Sequence, residues 1–208
     1  VMYGNFQLLA EHCAKMMPGM PAGLKSGVRK IRAMLRDGLA AAEHARNIVE
    51  EFRSFARDTR MAELVDLNVC LEEMASLAGR ELGSRIRLVK RLHRLPPVRC
   101  FRGQMNQLFL NLLKNAGEAI ERRGTVTVRT HRRNGHVVVE VADTGRGIPD
   151  EVRGKLFEPF FTTKPVGKGL GLGLSISAMI VQNHGGRISV KSRLGRGSVF
   201  RVELPIKS

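Results

Sequence analysis

Apolar residues recur at intervals of three, four or seven along the first part of the chain. Between residues 24 and 57, which contain no proline, they predict one stripe along a long helix: Val28, Ile31, Leu35, Ala42, Ala45, Ile48, Phe52 and Phe55. Such a helix extends about 50 Å and needs partner helices to bury its stripe. A shorter apolar helix precedes Pro18 and Pro21, so the two predict a helical hairpin. Two hairpins would complete a four-helix bundle in a homodimer. A single hairpin packed on the rest of the chain is the alternative.

After about residue 60 the pattern changes to short, mixed elements. Helices are predicted at 66–78, 104–122 and 174–183, and strands at 86–89, 125–130, 137–141, 187–192 and 198–204. Asn134-Gly135 between two of these strands indicates a tight hairpin. The order lacks the βαβ rhythm of a parallel sheet. We therefore expect an α+β fold, a two-layer α/β sandwich whose mixed sheet carries helices on one face, preceded by the α-helical hairpin. The expected domains are residues 1–60 and 61–208.

Composition narrows the class of protein. The 208 residues are 43% hydrophobic, enough for a core, and no apolar run or signal-peptide pattern predicts membrane contact by this chain. Three widely spaced cysteines argue against disulfides and indicate a reducing, cytoplasmic setting; a membrane anchor elsewhere in a full-length protein stays open. The net charge of +16 would attract polyanions. Because the arginines are scattered and aromatic residues are few, no nucleic-acid partner is expected.

Three segments carry candidate chemistry. Asn111 and Asn115 lie four residues apart and share a helix face, and their carboxamide oxygens suit Mg²⁺; an ordinary polar helix face is the alternative. Asp143 follows a strand and can accept a hydrogen bond from an exocyclic amine, while Gly145 and Gly147 let the backbone approach a flat ligand, unless the segment is only a tight turn. Alternate glycines in residues 167–173 free backbone N–H groups for phosphate at a helix start. A flexible linker is the other interpretation of that tract.

The order of these segments resembles the ATP-binding domain of bacterial two-component sensor histidine kinases, of the GHKL (Bergerat) type. Residues 111–115 look like the N box, 143–147 the G1 box, 157–161 the F box of a lid, 167–173 the G2 box and 195–198 the last glycine box. The resemblance implies ATP and Mg²⁺ as cofactors, with Asp143 on the adenine amino group and Asn115 and Asn111 on the metal. The other implied ATP-binding residues are Gly145, Gly147, Ile148, Lys164, Lys168, Gly169, Leu170, Gly171, Leu172 and Gly173.

The acceptor histidine of such kinases opens a His-Glu-hydrophobic-Asn/Arg-x-Pro motif, which is missing here. His12 and His44 lack its surroundings, so the chain looks like a piece cut just after the motif, without a catalytic residue of its own. His184 falls at a predicted helix end and needs no functional role. The implied function is transfer of the γ-phosphoryl group of ATP to a histidine, for relay to an aspartate of a response-regulator receiver domain. The alternatives are a nucleotide-binding scaffold or pseudokinase switch and a basic nucleic-acid-binding protein.

Overall fold

The structure is a computed structural model that describes residues 2–16, 18, 21–57, 61–164 and 170–206. The chain divides into two compact units. One comprises Val1–Ser54 with Thr163–Leu170, and the other comprises Phe55–Thr162 with Gly171–Ser208. The domain boundary expected near residue 60 stays a prediction.

The first unit contains the two predicted helices, except for the last three residues of the second helix. Helix α1 spans Met2–Met16 and helix α2 spans Ala22–Arg57, with the two prolines between them. Several of their apolar side chains are largely exposed: Leu8, Leu9, Leu24, Ile31 and Met34. The side chains of the stripe from Ala45 to Phe55 lie outside the described residues. None of the described helices is long and apolar enough to cross a membrane.

The second unit contains the remaining elements. Its helices are α3 (Leu67–Leu82), α4 (Arg102–Glu118), α5 (Asp150–Arg153) and α6 (Gly173–Asn183). Its strands are β1 (Glu63–Val65), β2 (Ile86–Leu92), β3 (Val98–Cys100), β4 (Gly124–Arg133), β5 (His136–Asp143), β6 (Arg187–Arg193) and β7 (Gly197–Pro205). Five strands form a sheet in the order β2-β4-β5-β7-β6, and β1 pairs separately with β3.

The sheet is mixed, as expected. Strand β2 pairs with β4 in parallel, and the other three pairs are antiparallel. One side of the sheet is apolar because alternate residues face the same way: Val128, Val141 and Phe200 are cross-strand neighbours and are buried. On the other side Arg201 donates to Glu140 over 2.6 Å. Helices α4 and α6 contact the sheet, which gives the α+β architecture predicted from the sequence.

Local signals account for most of these elements. The side chain of Asp66 accepts a hydrogen bond from the Asn68 N–H at the start of α3. Asn134 and Gly135 both have positive φ, the conformation that a tight turn between β4 and β5 requires.

The structure also differs from the sequence expectations. Strands β1 and β3 and helix α5 were not predicted, because runs of three or four residues carry too little periodicity. The parallel pair β2 and β4 is joined through α4, so the sheet contains one crossover of the kind thought absent. Helix α4 ends at Glu118 rather than near residue 122.

Candidate functional site

Asp143 ends strand β5 and is 6% exposed. Its carboxylate accepts a hydrogen bond from the Gly145 N–H over 2.8 Å. Burial raises the pKa of the Asp143 carboxyl above its usual range, and hydrogen bonds from Gly145 and from the backbone and hydroxyl of Ser198 lower it part of the way. A carboxylate has about four lone-pair sites, so Asp143 can still accept a hydrogen bond from a ligand amine.

The glycines around Asp143 are required by close packing within the protein. A Cβ at Gly145 would overlap the Ala119 carbonyl, and one at Gly147 would overlap the Arg193 carbonyl. Gly147 also has a φ of 71°, which glycine adopts without strain. Close contacts within the protein are therefore enough to explain why both positions are glycine, without a ligand. Whether these glycines and Ile148 also contact a ligand stays a prediction.

The hairpin of β6 and β7 forms one wall beside Asp143. A Cβ at Gly197 would overlap the Asp143 carbonyl, so the two backbones lie in direct contact. The Ser192 hydroxyl accepts from the Ile148 N–H over 2.8 Å and lies 2.9 Å from the Ser198 hydroxyl. An open cleft of about 300 Å³ reaches Asp143 along this hairpin, and it is lined by Lys191, Ser192, Arg193, Arg196, Gly197, Ser198 and Val199.

The two asparagines of α4 lie together, as the sequence predicted. The Asn111 amide donates to the Ser177 hydroxyl of α6 over 2.7 Å, and Ser177 in turn donates to the Gly173 carbonyl over 2.9 Å. The Asn115 amide donates weakly to Asn111 Oδ1, over 3.4 Å. A Cβ at Gly173 would overlap the Asn111 carboxamide, so α6 begins directly against this side chain.

These contacts leave carboxamide oxygens available for a cation. Within the part of the chain that the structure describes, Asn115 Oδ1 accepts no hydrogen bond, and Asn111 Oδ1 accepts only the weak one from Asn115. Carboxamide oxygens are hard ligands, and Mg²⁺ takes its remaining ligands from water and phosphate. The residues present therefore fit a magnesium ion bound together with a phosphate ligand.

The segment after Asp143 is attached to the end of α4. The Arg146 N–H donates to the Ala119 carbonyl over 3.0 Å. Ala119 follows Asn115 by four residues, which is about one helical turn. A direct backbone contact thus joins the segment that follows Asp143 to the end of the helix that carries Asn115.

The glycine tract is described only in part. Gly171 has a φ of 69°, and a Cβ there would overlap the backbone of Phe160, whose own φ is 66°. Leu172 is buried beside the start of α6, so only its backbone could reach a ligand. Lys168 and Gly169 lie outside the described residues. Lys164 and Leu170 are grouped with the helical unit, and their contacts with phosphate stay predictions.

Three serines of the site were not among the predicted residues. Ser198 was part of a recognised glycine box, but its bond to Asp143 joins residues that are distant in sequence. Ser177 and Ser192 also bond to residues that are distant in sequence. The Ser177 hydroxyl accepts a hydrogen bond from the Asn111 amide, and the Ser192 hydroxyl accepts one from the Ile148 N–H. No local pattern marks such residues, although their position beside glycines and helix starts is a weak signal.

A buried acid at a strand end, paired amides on a neighbouring helix and glycines at the start of the next helix are consistent with the nucleotide-binding ATPase that the sequence resembles. The family described as histidine kinase-, DNA gyrase B- and HSP90-like ATPases matches residues 102–208. The chain belongs to this family and, by its relatives, to the two-component sensor histidine kinases with a GHKL-type ATP-binding domain.

Two curated relatives illustrate the similarity. The sensor kinase CckA of Brucella abortus is 39% identical over 181 residues, which cover 79% of this chain and 19% of CckA. The sensory histidine kinase/phosphatase NtrB of Azospirillum brasilense is 36% identical over 219 residues, which cover 98% of this chain and 51% of NtrB. The chain thus spans about half or less of the length of these relatives.

Solved structures share the fold. The mycobacterial sensor histidine kinase MprB superimposes with a TM-score of 0.63 at 29% identity, over 69% of this chain and 97% of that one. Full-length ShkA in complex with AMPPNP superimposes with a TM-score of 0.65 at 26% identity, over 99% of this chain and 46% of ShkA.

Proposed function

We propose that this chain binds ATP with Mg²⁺ and transfers the γ-phosphoryl group to a histidine that is not among its own six. The phosphoryl group would then pass to an aspartate of a response-regulator receiver domain. The observation that carries the proposal is the backbone contact between Arg146 and Ala119, which joins the segment of Asp143 to the helix of Asn115. A base-binding acid and a metal-binding amide are thereby held at a fixed separation, as recognition of one nucleotide requires.

The proposed roles follow the chemistry of each group. Asp143 accepts a hydrogen bond from the adenine amino group, which gives a preference for adenine over bases that lack a donor there. Asn115 and Asn111 bind the metal ion through their carboxamide oxygens. The backbone N–H groups of the glycine tract, at the start of α6, face the phosphates. The remaining contacts are assigned to Gly145, Gly147, Ile148, Lys164, Lys168, Gly169, Leu170, Gly171, Leu172 and Gly173.

Catalysis in such a site comes mainly from positioning and charge neutralisation. Magnesium, when bound, would neutralise charge on the β- and γ-phosphates. The residues of this chain would hold the base and orient the triphosphate toward the acceptor imidazole. The ShkA complex supports nucleotide binding, because it is a structural neighbour solved with AMPPNP, an ATP analogue. Positions 12 and 44 are not the acceptor, because neither histidine lies in the acceptor motif.

The proposed partners are a second copy of the chain, bound through the helical hairpin, and the receiver domain of a response regulator. Exposed apolar side chains on α1 and α2 support the first, because isolated helices seldom leave Leu, Ile and Met in water without a partner.

Equilibrium binding of a fluorescent ATP analogue, with Mg²⁺ and with a chelator, tests the proposal. We expect Asp143→Asn to weaken binding about tenfold or more under both conditions, since a charged hydrogen bond is lost. Asn115→Ala should weaken binding only when Mg²⁺ is present. Asp66→Asn is the matched control, because it replaces an exposed N-cap acid with another good N-cap residue. The site assignment is wrong if neither Asp143→Asn nor Asn115→Ala weakens binding.

A further inference from the structure

His184 lies at the C-terminal end of α6 and is 8% exposed. Its Nδ1 is 2.7 Å from the Ile180 carbonyl of its own helix. Its Nε2 accepts a hydrogen bond from the Phe101 N–H over 3.1 Å, and the Phe101 and His184 rings pack edge to face at 5.6 Å. One side chain therefore bonds to the last turn of α6 and to the N-cap residue of α4 at the same time.

The two bonds fix the state of the imidazole ring. A carbonyl only accepts, so Nδ1 must carry a hydrogen, and a backbone N–H only donates, so Nε2 must present a lone pair. His184 is thus a neutral ring in the Nδ1–H form. The bond matters for α4, because Phe101 is its N-cap residue and provides no side-chain acceptor for the unpaired N–H groups of the first turn.

Helices α4 and α6 are connected by polar side chains at two places. His184 at the end of α6 bonds to Phe101 before α4, and Asn111 in the middle of α4 bonds to Ser177, whose hydroxyl donates to the Gly173 carbonyl. The helices therefore run antiparallel. Ten residues separate Phe101 from Asn111 and seven separate Ser177 from His184, so the two connections lie about 10–15 Å apart along the helices. Two such connections fix both the axial position and the rotation of one helix against the other.

We propose that His184 is a positioning residue for nucleotide binding. By bonding to Phe101 it holds α4 in register with α6, so that Asn111 and Asn115 present their oxygens to a metal ion at the glycine tract. This inference rests on the proposed function and assigns a role to a residue outside all the motifs of the family resemblance. A shift of α4 by a fraction of an ångström would misplace both carboxamides, and metal ligation tolerates little displacement.

Two substitutions of His184 separate its two bonds. In His184→Asn the amide nitrogen lies near the position of Nδ1, so the bond to Ile180 is kept and the one to Phe101 is lost. In His184→Gln the longer side chain reaches the position of Nε2, and its oxygen can accept from Phe101. The measured quantity is the gain in affinity for a fluorescent ATP analogue when Mg²⁺ replaces a chelator.

We expect His184→Asn to lower this magnesium-dependent gain about fivefold, the size of one neutral hydrogen bond, and to leave the affinity in chelator nearly unchanged. His184→Gln should restore most of the gain. If His184 acted only on stability, His184→Asn would instead lower the midpoint of unfolding and leave the magnesium-dependent gain in affinity unchanged. The same two substitutions at His136, an exposed histidine that begins β5, are the control.

The ring state is tested on the unaltered protein, independently of whether the variants fold. The ¹⁵N signals of the His184 ring should show the Nδ1–H form, and an Nε2–H or doubly protonated ring would overturn the inference. An unchanged magnesium-dependent gain in folded His184→Asn would also overturn it. If the unaltered protein bound no analogue, the proposed function itself would fail, and the positioning role with it.

Discussion

At the scale of single residues, the Asp143 carboxyl couples the proposed nucleotide site to folding stability. Its pKa is raised by burial in the folded chain, relative to about 3.9 in an unfolded one. The folded protein therefore binds more protons between the two pKa values. Stability falls as pH rises through that window and stays lower above it. At neutral pH the buried charge thus destabilises the protein, while the same charge is what the adenine amine would bind.

We therefore expect Asp143→Asn to raise the free energy of unfolding at pH 7 while it weakens nucleotide binding. The difference from the unaltered protein should shrink as the pH falls through the raised pKa, because the protonated acid resembles the amide. Urea unfolding at a series of pH values measures this. Asp66→Asn controls for removing one negative charge from a basic protein. A variant that is less stable at every pH would contradict the argument.

Some residues of the candidate site could be predicted from the sequence, and others could not. Asp143, Asn111 and Asn115 lie in short motifs whose spacing is visible locally; the structure places Asn111 beside Asn115 and attaches the segment after Asp143 to the end of their helix, and their roles in binding stay predictions. The role of His184 was not predicted, because a helix-end position explains a histidine without any further contact. Its partner Phe101 is 83 residues away, and only the folded chain brings them together.

At the scale of elements, the turn between β6 and β7 offers a matched pair of glycines. Gly195 and Gly197 have φ values of 74° and 89°, so alanine is strained at either position. A Cβ at Gly195 would meet nothing within 4 Å, whereas one at Gly197 would overlap the Asp143 carbonyl. Comparing alanine variants at the two positions therefore separates the cost of backbone strain from the cost of steric overlap.

We expect Gly195→Ala to cost about 1–2 kcal/mol of stability through its backbone conformation alone. Gly197→Ala should cost about 1–3 kcal/mol more, because the backbone of Asp143 must move. It should also weaken binding of the ATP analogue, and Gly195→Ala should not. Urea unfolding and equilibrium binding measure the two effects. Equal losses of stability for the two variants would show that the overlap relaxes without cost.

The elements themselves were predictable where the signal is local. The long apolar stripe predicted α2, and Asn134-Gly135 predicted the hairpin of β4 and β5. The parallel pairing of β2 with β4 was not predicted, since it joins strands on either side of α4. The short strands β1 and β3 were missed because each depends on the other for its hydrogen bonds.

At the scale of the whole molecule, the apolar side chains of α2 predict association. In this single chain Ile31 is 50% exposed and Met34 is 72% exposed. The helix of 36 residues is about 54 Å long, enough to form half of a bundle with a second copy.

We expect the protein to be a dimer in solution and Ile31→Glu to raise its dissociation constant at least about tenfold, because a buried charge would lie in the interface. Ser26→Glu is the control, since it adds the same charge at an exposed position on the opposite side of the helix. Sedimentation equilibrium measures both. A monomeric unaltered protein at micromolar concentration would show the dimer prediction to be wrong.

The position of β7 has a consequence for synthesis. It is made after every other strand of the sheet, yet it lies between β5 and β6 and is the neighbour of β6 in the sheet. Until β7 leaves the ribosome, one edge of β5 stays open to incorrect pairing. Gly197 and Ser198, which complete the surroundings of Asp143, arrive with the same strand. A ribosome stalled before β7 would therefore hold a chain in which Asp143 lacks its neighbours Gly197 and Ser198, so the proposed site is completed only when this strand is made.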